Sequence, residues 1–356
     1  MAEDALHHQY NPDNRAELFE FLRESLPPND ADRAISRWQW KYESSPYNPP
    51  EGPTVDLIRI GSKLVSIVAG YRLKMWMGGI ECFAEARGEW LVHPDYRGRK
   101  LWRRVGNVLP AEVPMLFGWS VVSAQAVRAI GWATEPVRPM LRVLEAGPLV
   151  EQLTRSPRLA SIATALNTAA RVASESLHRV RRGRSDKVLQ LDSFDDRVDV
   201  LWERARRPAK AMVVREGRYL NWRYCERPDA TYLLYGIEHG SELAGFLVAR
   251  VGNHRGLRWG YLVDFLVPEN SNDVLSSLIG EALDEFGGNG VAAVTCYVTD
   301  PGARRVLLRH GFFPSPGRNP IHFNHLLEGS RTDLQRFAAL HSWYLTMGDG
   351  EFEMNL

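Results

Sequence analysis

Leu91-Val92-His93-Pro94-Asp95-Tyr96-Arg97-Gly98-Arg99-Lys100-Leu101 places an apolar strand end, a proline, a short basic loop and the start of an apolar-patterned helix in direct succession. That order aims several backbone N–H groups and a helix N-terminus at one spot, which is the geometry of an anion site. Arg97, Arg99 and Lys100 supply the charge for a ligand the size of a pyrophosphate. Further along, Val267-Pro268-Glu269-Asn270-Ser271-Asn272-Asp273 has the same strand–proline–helix layout without the basic residues. There Glu269 and Asp273 repel a pyrophosphate and cap the helix themselves. The sequence therefore predicts one anion site, in the first half of the chain.

The elements that position this loop occur twice. Trp40-Lys41-Tyr42 returns as Trp222-Arg223-Tyr224, Glu89-Trp90-Leu91-Val92 as Asp264-Phe265-Leu266-Val267, and Gly131-Trp132 as Gly311-Phe312, in the same order and at nearly the same offset. A repeat this long is a whole domain rather than a solenoid unit. In the first copy, residues 13–25 and 30–41 read as helices, 54–60 and 64–73 as a hairpin about Gly61-Ser62, and 80–92 as a third strand. A helix over 98–108, a strand over 115–122 and a helix over 124–130 follow. The second copy repeats the scheme with a hairpin about His239-Gly240, a strand over 259–267, a helix over 272–286, a strand over 291–298 and a helix over 303–309. Antiparallel strands followed by strand–helix–strand–helix predict an α/β fold of two mixed sheets flanked by helices. The domains expected are 1–150 and 187–356. Residues 151–186 form a connector whose Leu159, Ile162, Leu166, Ala170, Ala173, Leu177 and Val180 outline one amphipathic helix, laid on a domain and ending in arginines.

The strand ending Val-x-Pro and the loop Arg97-Gly98-Arg99-Lys100 resemble the GNAT-type N-acyltransferases, whose acyl-CoA loop reads Arg/Gln-x-x-Gly-x-Gly/Ala. The hairpin before it and the helix–Gly–aromatic element after it match in order, so the whole chain resembles a tandem GNAT protein. The resemblance implies that Leu91, Val92, Arg97, Gly98, Arg99, Lys100, Leu101 and Trp102 bind acetyl-CoA or another acyl-CoA as co-substrate. Lys100 and Trp102 stand where the family has small residues; Lys100 supplies charge instead, and Trp102 must turn toward the adenine side or the core. The family commonly places a general base on the strand leading into the loop, which implies Glu89, with Glu85 a second candidate on the same face by parity. Asp264 is the counterpart of Glu89. The segment from His341 to Glu351 resembles the ending of such tandem proteins and reads as a final strand with a polar end.

Composition narrows the function. The 356 residues carry a net charge of +1, so a nucleic-acid partner is not expected from overall electrostatics. No run of apolar residues is long enough to span a bilayer, the N-terminus is not a secretory signal, and three scattered cysteines lack metal-type spacing. The expectation is a cytoplasmic, metal-free enzyme with no membrane partner, a monomer or homodimer. It would transfer an acyl group, acetyl first, to a primary amine of a small molecule. The alternatives are a Fem-like transferase using aminoacyl-tRNA or a carrier protein, which the arginine clusters 179–184 and 204–207 would suit, and a catalytically silent scaffold.

Overall fold

The computed structural model describes residues 5–99, 101, 113–120, 127–168, 187–315, 321–327 and 332–350. Along the chain, β1 (Ala5–Gln9) leads into helices α1 (Arg15–Ser25) and α2 (Pro28–Trp38), then β2 (Val55–Ile60), β3 (Lys63–Met77), β4 (Ile80–Val92) and β5 (Met115–Ser120). β6 (Ala133–Val137) and β7 (Met140–Val143) precede α3 (Ala146–Thr154) and a helix α4 over 157–168. The second half runs β8 (Val188–Leu191), α5 (Arg197–Ala205), β9 (Ala211–Val213), α6 (Gly217–Leu220), β10 (Leu233–His239), β11 (Glu242–His254) and β12 (Leu257–Leu266). It continues with α7 (Asn272–Gly288), β13 (Ala293–Cys296), α8 (Pro301–Arg309), β14 (Phe313–Pro314) and β15 (Ile321–Leu327).

These elements form two compact units, each drawn from three stretches of chain: 1–136, 207–231 and 321–343 in the first, and 137–206, 232–320 and 344–356 in the second. The first unit's sheet has the order β1-β2-β3-β4-β5-β15-β6, with β9 beside β3. The second has the order β8-β10-β11-β12-β13-β7-β14. Each sheet is antiparallel up to a central parallel pair, β4–β5 or β12–β13. Beyond that pair an antiparallel strand comes from the other half of the sequence: β15 lies on β5, and β7 lies on β13. Strands β1, β6, β7, β8, β9, β14 and β15 are not legible in the sequence pattern. All but β15 are edge strands or short ones; β15, seven residues between β5 and β6, is neither, and nothing in a local pattern tells which sheet receives it.

The first unit is locked by its two copies of Trp-x-Tyr. α2 widens into a π-helical turn over Gln39–Glu43, and α6 does the same over Asn221–Cys225. Trp40 and Trp222 stack with centroids 5.2 Å apart, and each indole N–H donates to the other's carbonyl at 2.7 and 2.9 Å. Tyr71 of β3 packs 5.5 Å from Trp222. With both indole N–H groups satisfied, two large rings are buried without the desolvation cost an orphaned N–H would bring. In the second unit, α7 presents Leu275, Leu278, Ile279, Ala282 and Phe286 at helical spacing to the sheet, all buried. Burial of each larger side chain contributes about 1.5–3 kcal/mol.

Both sheets carry a bulge at the same place. Val68 faces Trp90 but Gly70 faces Arg87, so β4 has one extra residue opposite Ala69. Val248 faces Asp264 but Ala249 faces Leu262, so Val263 is extra in β12. An extra residue inverts the alternation of faces beyond it.

Candidate active site at the end of β4

β4 and β5 are paired only at Glu85↔Leu116 and Ala86↔Phe117. Beyond Ala86, β4 runs six more residues with no β5 partner, so the strands diverge. At Gly118, just after the last pairing, the strands still approach closely, since a Cβ there would meet the carbonyl oxygen of Arg87 at 2.9 Å. A groove of about 340 Å³ borders the carboxyl end of β4, lined by Ser25, Leu26, Trp90, Leu91, Val92, Tyr96, Arg97 and Gly98.

The loop beside this groove is held by its own side chains and by the end of α1. His93 is buried; its Nδ1 accepts the Asp95 N–H at 3.2 Å, and its Nε2 lies 3.2 Å from Glu24 at the end of α1. Pro94–Tyr96 make one 3-10 turn. Arg97 reaches back to the carbonyls of Ser25 and Val92 at 3.3 and 3.4 Å while staying exposed. Gly98 has φ +84°, a conformation an L side chain resists. The Arg99 guanidinium lies 4.7 Å over the Tyr96 ring. Leu101 is buried with Ile58, Val65 and Val68 and anchors the loop's far side. Of the residues expected to bind the cofactor, Leu91, Val92, Arg97 and Gly98 line the groove. Arg99 and Leu101 flank it, and Lys100 and Trp102 lie outside the described residues.

The two carboxylates expected on one face are separated by the bulge. The register sets Glu85, Arg87 and Trp90 on one face and Ala86 and Leu91 on the other, with Glu89 in the bulge turned toward the latter. Parity counted across an unseen bulge therefore gave the wrong face. Glu89, its side chain 19% exposed, accepts from the Lys41 Nζ at 2.8 and 2.9 Å. Lys41 is buried in the π-helical turn. Glu85 is fully buried, with Oε1 2.6 Å from Arg87 Nε. Arg87 also donates to Asp56 at 2.9 Å, and Asp56 receives Gln9 at 2.6 Å and lies 2.6 Å from the His7 ring. Burial pushes the Glu85 carboxyl up to about 7; Arg87 opposes the rise and Asp56 adds to it. Lys41, Arg87 and Asp56 were not singled out in the sequence. Lys41 sits between the paired aromatics of the repeat, so that motif was its only signal.

The second unit has the same frame with different contents. β12 passes its last pairing with β13 at Leu262↔Cys296 and runs on to Leu266. The gap holds the segment Tyr344–Asp349, which is buried throughout. The Tyr344 hydroxyl donates to the Phe265 carbonyl at 2.8 Å, and Leu345 and Thr299 exchange hydrogen bonds at 2.9 and 3.1 Å. Thr346 pairs with Val298 and donates to Asp264 at 2.8 Å, while Asp349 accepts the Thr346 N–H at 2.7 Å. The expected final strand is instead an irregular segment ending in a 3-10 turn over Met347–Asp349. Its side chains pack into a gap rather than alternate across a sheet.

Two mixed sheets, each with a bulged strand diverging from a parallel neighbour, define the tandem acyl-CoA N-acyltransferase (GNAT) fold. Solved structures agree. A conserved protein of unknown function from Enterococcus faecalis superposes with a TM-score of 0.60 at 11% identity, over 93% of this chain and 74% of that one. A GCN5-related N-acetyltransferase from Anabaena variabilis gives 0.58 at 11%, over 92% and 73%. The N-myristoyltransferase of Saccharomyces cerevisiae, solved with bound myristoyl-CoA, gives 0.56 at 14%, over 92% and 79%. No family model matches the sequence, and no curated protein does. Among the described residues there is no helix long and apolar enough to cross a membrane and no His/Cys/Asp/Glu group that could hold a metal.

Proposed function

We propose that this chain is an acyl-CoA-dependent N-acyltransferase whose first unit holds the thioester at the carboxyl end of β4. The observation that carries the reading is the open groove beside a basic, Gly98-turned loop. The loop's Arg97 and Arg99 with Lys100 would take the pyrophosphate, and Leu91 and Val92 would present strand N–H groups to the thioester arm. The solved N-myristoyltransferase holds myristoyl-CoA on the same fold, and this supports an acyl-CoA donor. The acyl group proposed first is acetyl, and the acceptor a primary amine of a small molecule.

Of the two carboxylates, Glu89 is the better base because it reaches solvent, whereas Glu85 does not. Glu89, paired with the Lys41 ammonium, would take a proton from the attacking amine, directly or through water. The second unit, its gap already filled and its loop acidic, would shape the fold rather than bind a second thioester.

Calorimetric and thermal-shift titration with acetyl-CoA tests this in the wild type, Arg97→Ala and Lys100→Ala. A saturable signal at a hundred times Kd should add about 2.7 kcal/mol to stability, and both substitutions should weaken binding about tenfold or more. A wild-type protein that binds neither acetyl-CoA nor a longer acyl-CoA would overturn the reading.

A further inference from the structure

The helix α4 is turned the wrong way for a connector. Its apolar residues recur at helical spacing, which predicts a buried stripe, yet Leu159, Ile162 and Leu166 are 49%, 56% and 68% exposed. The opposite flank makes the contacts. Ala160 is buried, Thr164 lies against Gly147 of α3, and Asn167 donates to the Leu144 carbonyl at 2.5 Å. The helix is thus docked by a small and polar edge and presents its leucines and isoleucine to solvent. Leu153 of α3, 81% exposed, adds a fourth apolar side chain. An apolar row of this kind on a monomeric soluble surface marks something that covers it.

Charge says what. Arg155 and Arg158 are exposed where α3 gives way to α4. Gln152 donates to the Arg255 carbonyl at 2.5 Å, and that brings the turn carrying exposed Arg255 and Arg258 to the same end of α3. Over residues 146–187, of which 169–186 lie outside the described residues, the sequence holds eight arginines and lysines against three acids, a local charge of +5 in a chain whose total is +1. The spacing of the stripe also continues in the sequence through Ala170, Ala173, Leu177 and Val180. A second copy docked symmetrically through this face would set like charges together. An apolar stripe flanked by arginines instead fits a surface that is apolar below and anionic above.

We propose that the exposed face of α3 and α4 docks on an anionic lipid bilayer surface, with Leu153, Leu159, Ile162 and Leu166 entering the headgroup boundary and the arginines meeting lipid phosphates. The helix lies on the membrane and does not cross it. This departs from the expectation of no membrane partner that the absence of a spanning segment suggested, because hydropathy reports spanning and not surface docking. The proposal is independent of the acyl-CoA reading.

The test is flotation of the full-length protein with extruded vesicles of phosphatidylcholine alone and of three parts phosphatidylcholine to one part phosphatidylglycerol. Wild type should float with the anionic vesicles and not the neutral ones, and the bound fraction should fall several-fold on raising salt from about 0.1 to 0.5 M. Leu159→Ser, Ile162→Ser and Leu166→Ser combined should reduce partitioning about tenfold or more while leaving the thermal melt unchanged, since none of the three is buried. Arg155→Gln with Arg158→Gln provides a second variant and should weaken binding and its salt dependence together. Failure of wild type to float with anionic vesicles would overturn the proposal, as would flotation of the triple variant equal to wild type. So would a lipid-free dimer of wild type, seen by light scattering and lost in the triple variant, since it would put a second copy on this face.

Discussion

The end of β4 and the end of β12 are the same construction put to opposite uses. Each strand is bulged, each outruns its parallel partner, and each carries an acid at the bulge, Glu89 or Asp264. At β4 the space is a groove, the loop is basic, and the acid is held by a lysine. At β12 the space is taken by Tyr344–Asp349, the loop is acidic, and the acid is held by a threonine of the filling segment. A diverging strand pair leaves backbone and side chains that need a partner. The chain supplies one itself in the second unit; in the first, among the described residues, a groove remains.

The sharpest break of this comparison is expected at the filling segment. Tyr344 is buried and donates its hydroxyl to Phe265, so Tyr344→Ala should cost about 3–5 kcal/mol in chemical denaturation. Its acetyl-CoA affinity, measured well below the melting temperature, should match wild type. Arg97→Ala should do the reverse, leaving stability within about 0.5 kcal/mol while weakening acyl-CoA binding. A stability loss from Arg97→Ala equal to that of Tyr344→Ala would mean the two ends are both structural.

An intermediate effect concerns the buried acid of the first unit. Glu85 holds its proton up to about 7 in the folded chain, against an ordinary value of 4.5. Between those values the folded state binds more protons than the unfolded state, so stability falls as pH rises from 4.5 toward 7. Glu85→Gln should flatten that part of the stability–pH profile, measured by urea denaturation at several pH values. A profile unchanged by the substitution would show that Arg87 already keeps Glu85 ionised in spite of Asp56.

The smallest effect is expected from making the second loop look like the first. Glu269→Lys with Asp273→Lys should change stability by no more than about 0.5 kcal/mol and add no second acyl-CoA site to the calorimetric stoichiometry, because the space behind the loop is filled. A second site appearing in that variant would show that loop charge alone, and not the filling segment, separates the two ends.

Much of the frame was legible in the chain. Period-two and helical spacing located β2, β3, β4, β10, β11, β12 and α7 to within a few residues, since each buries one face and must be patterned for it. The basic loop after Val92 was legible because proline, glycine and charge are local signals. The bulge at Gly88 and Glu89 was not, and with it went the relative facing of Glu85 and Glu89. A bulge leaves alternation intact on either side and is visible only as a mismatch with the neighbouring strand. Lys41 was equally hidden, for its meaning comes from a residue 48 positions away.

By itself the sequence determined two α/β copies, their strand and helix order, and which copy carries a basic loop. Those are properties of neighbours along the chain: side-chain period, turn residues and net charge within a few positions. Only the tertiary structure decided that β7 and β15 join the sheets of the opposite halves, that Tyr344–Asp349 fill one diverging gap, and that α4 shows its apolar stripe to solvent. The physical reason is that a strand or an apolar stripe specifies that it must be covered, while what covers it is settled by the packing of residues far apart in sequence.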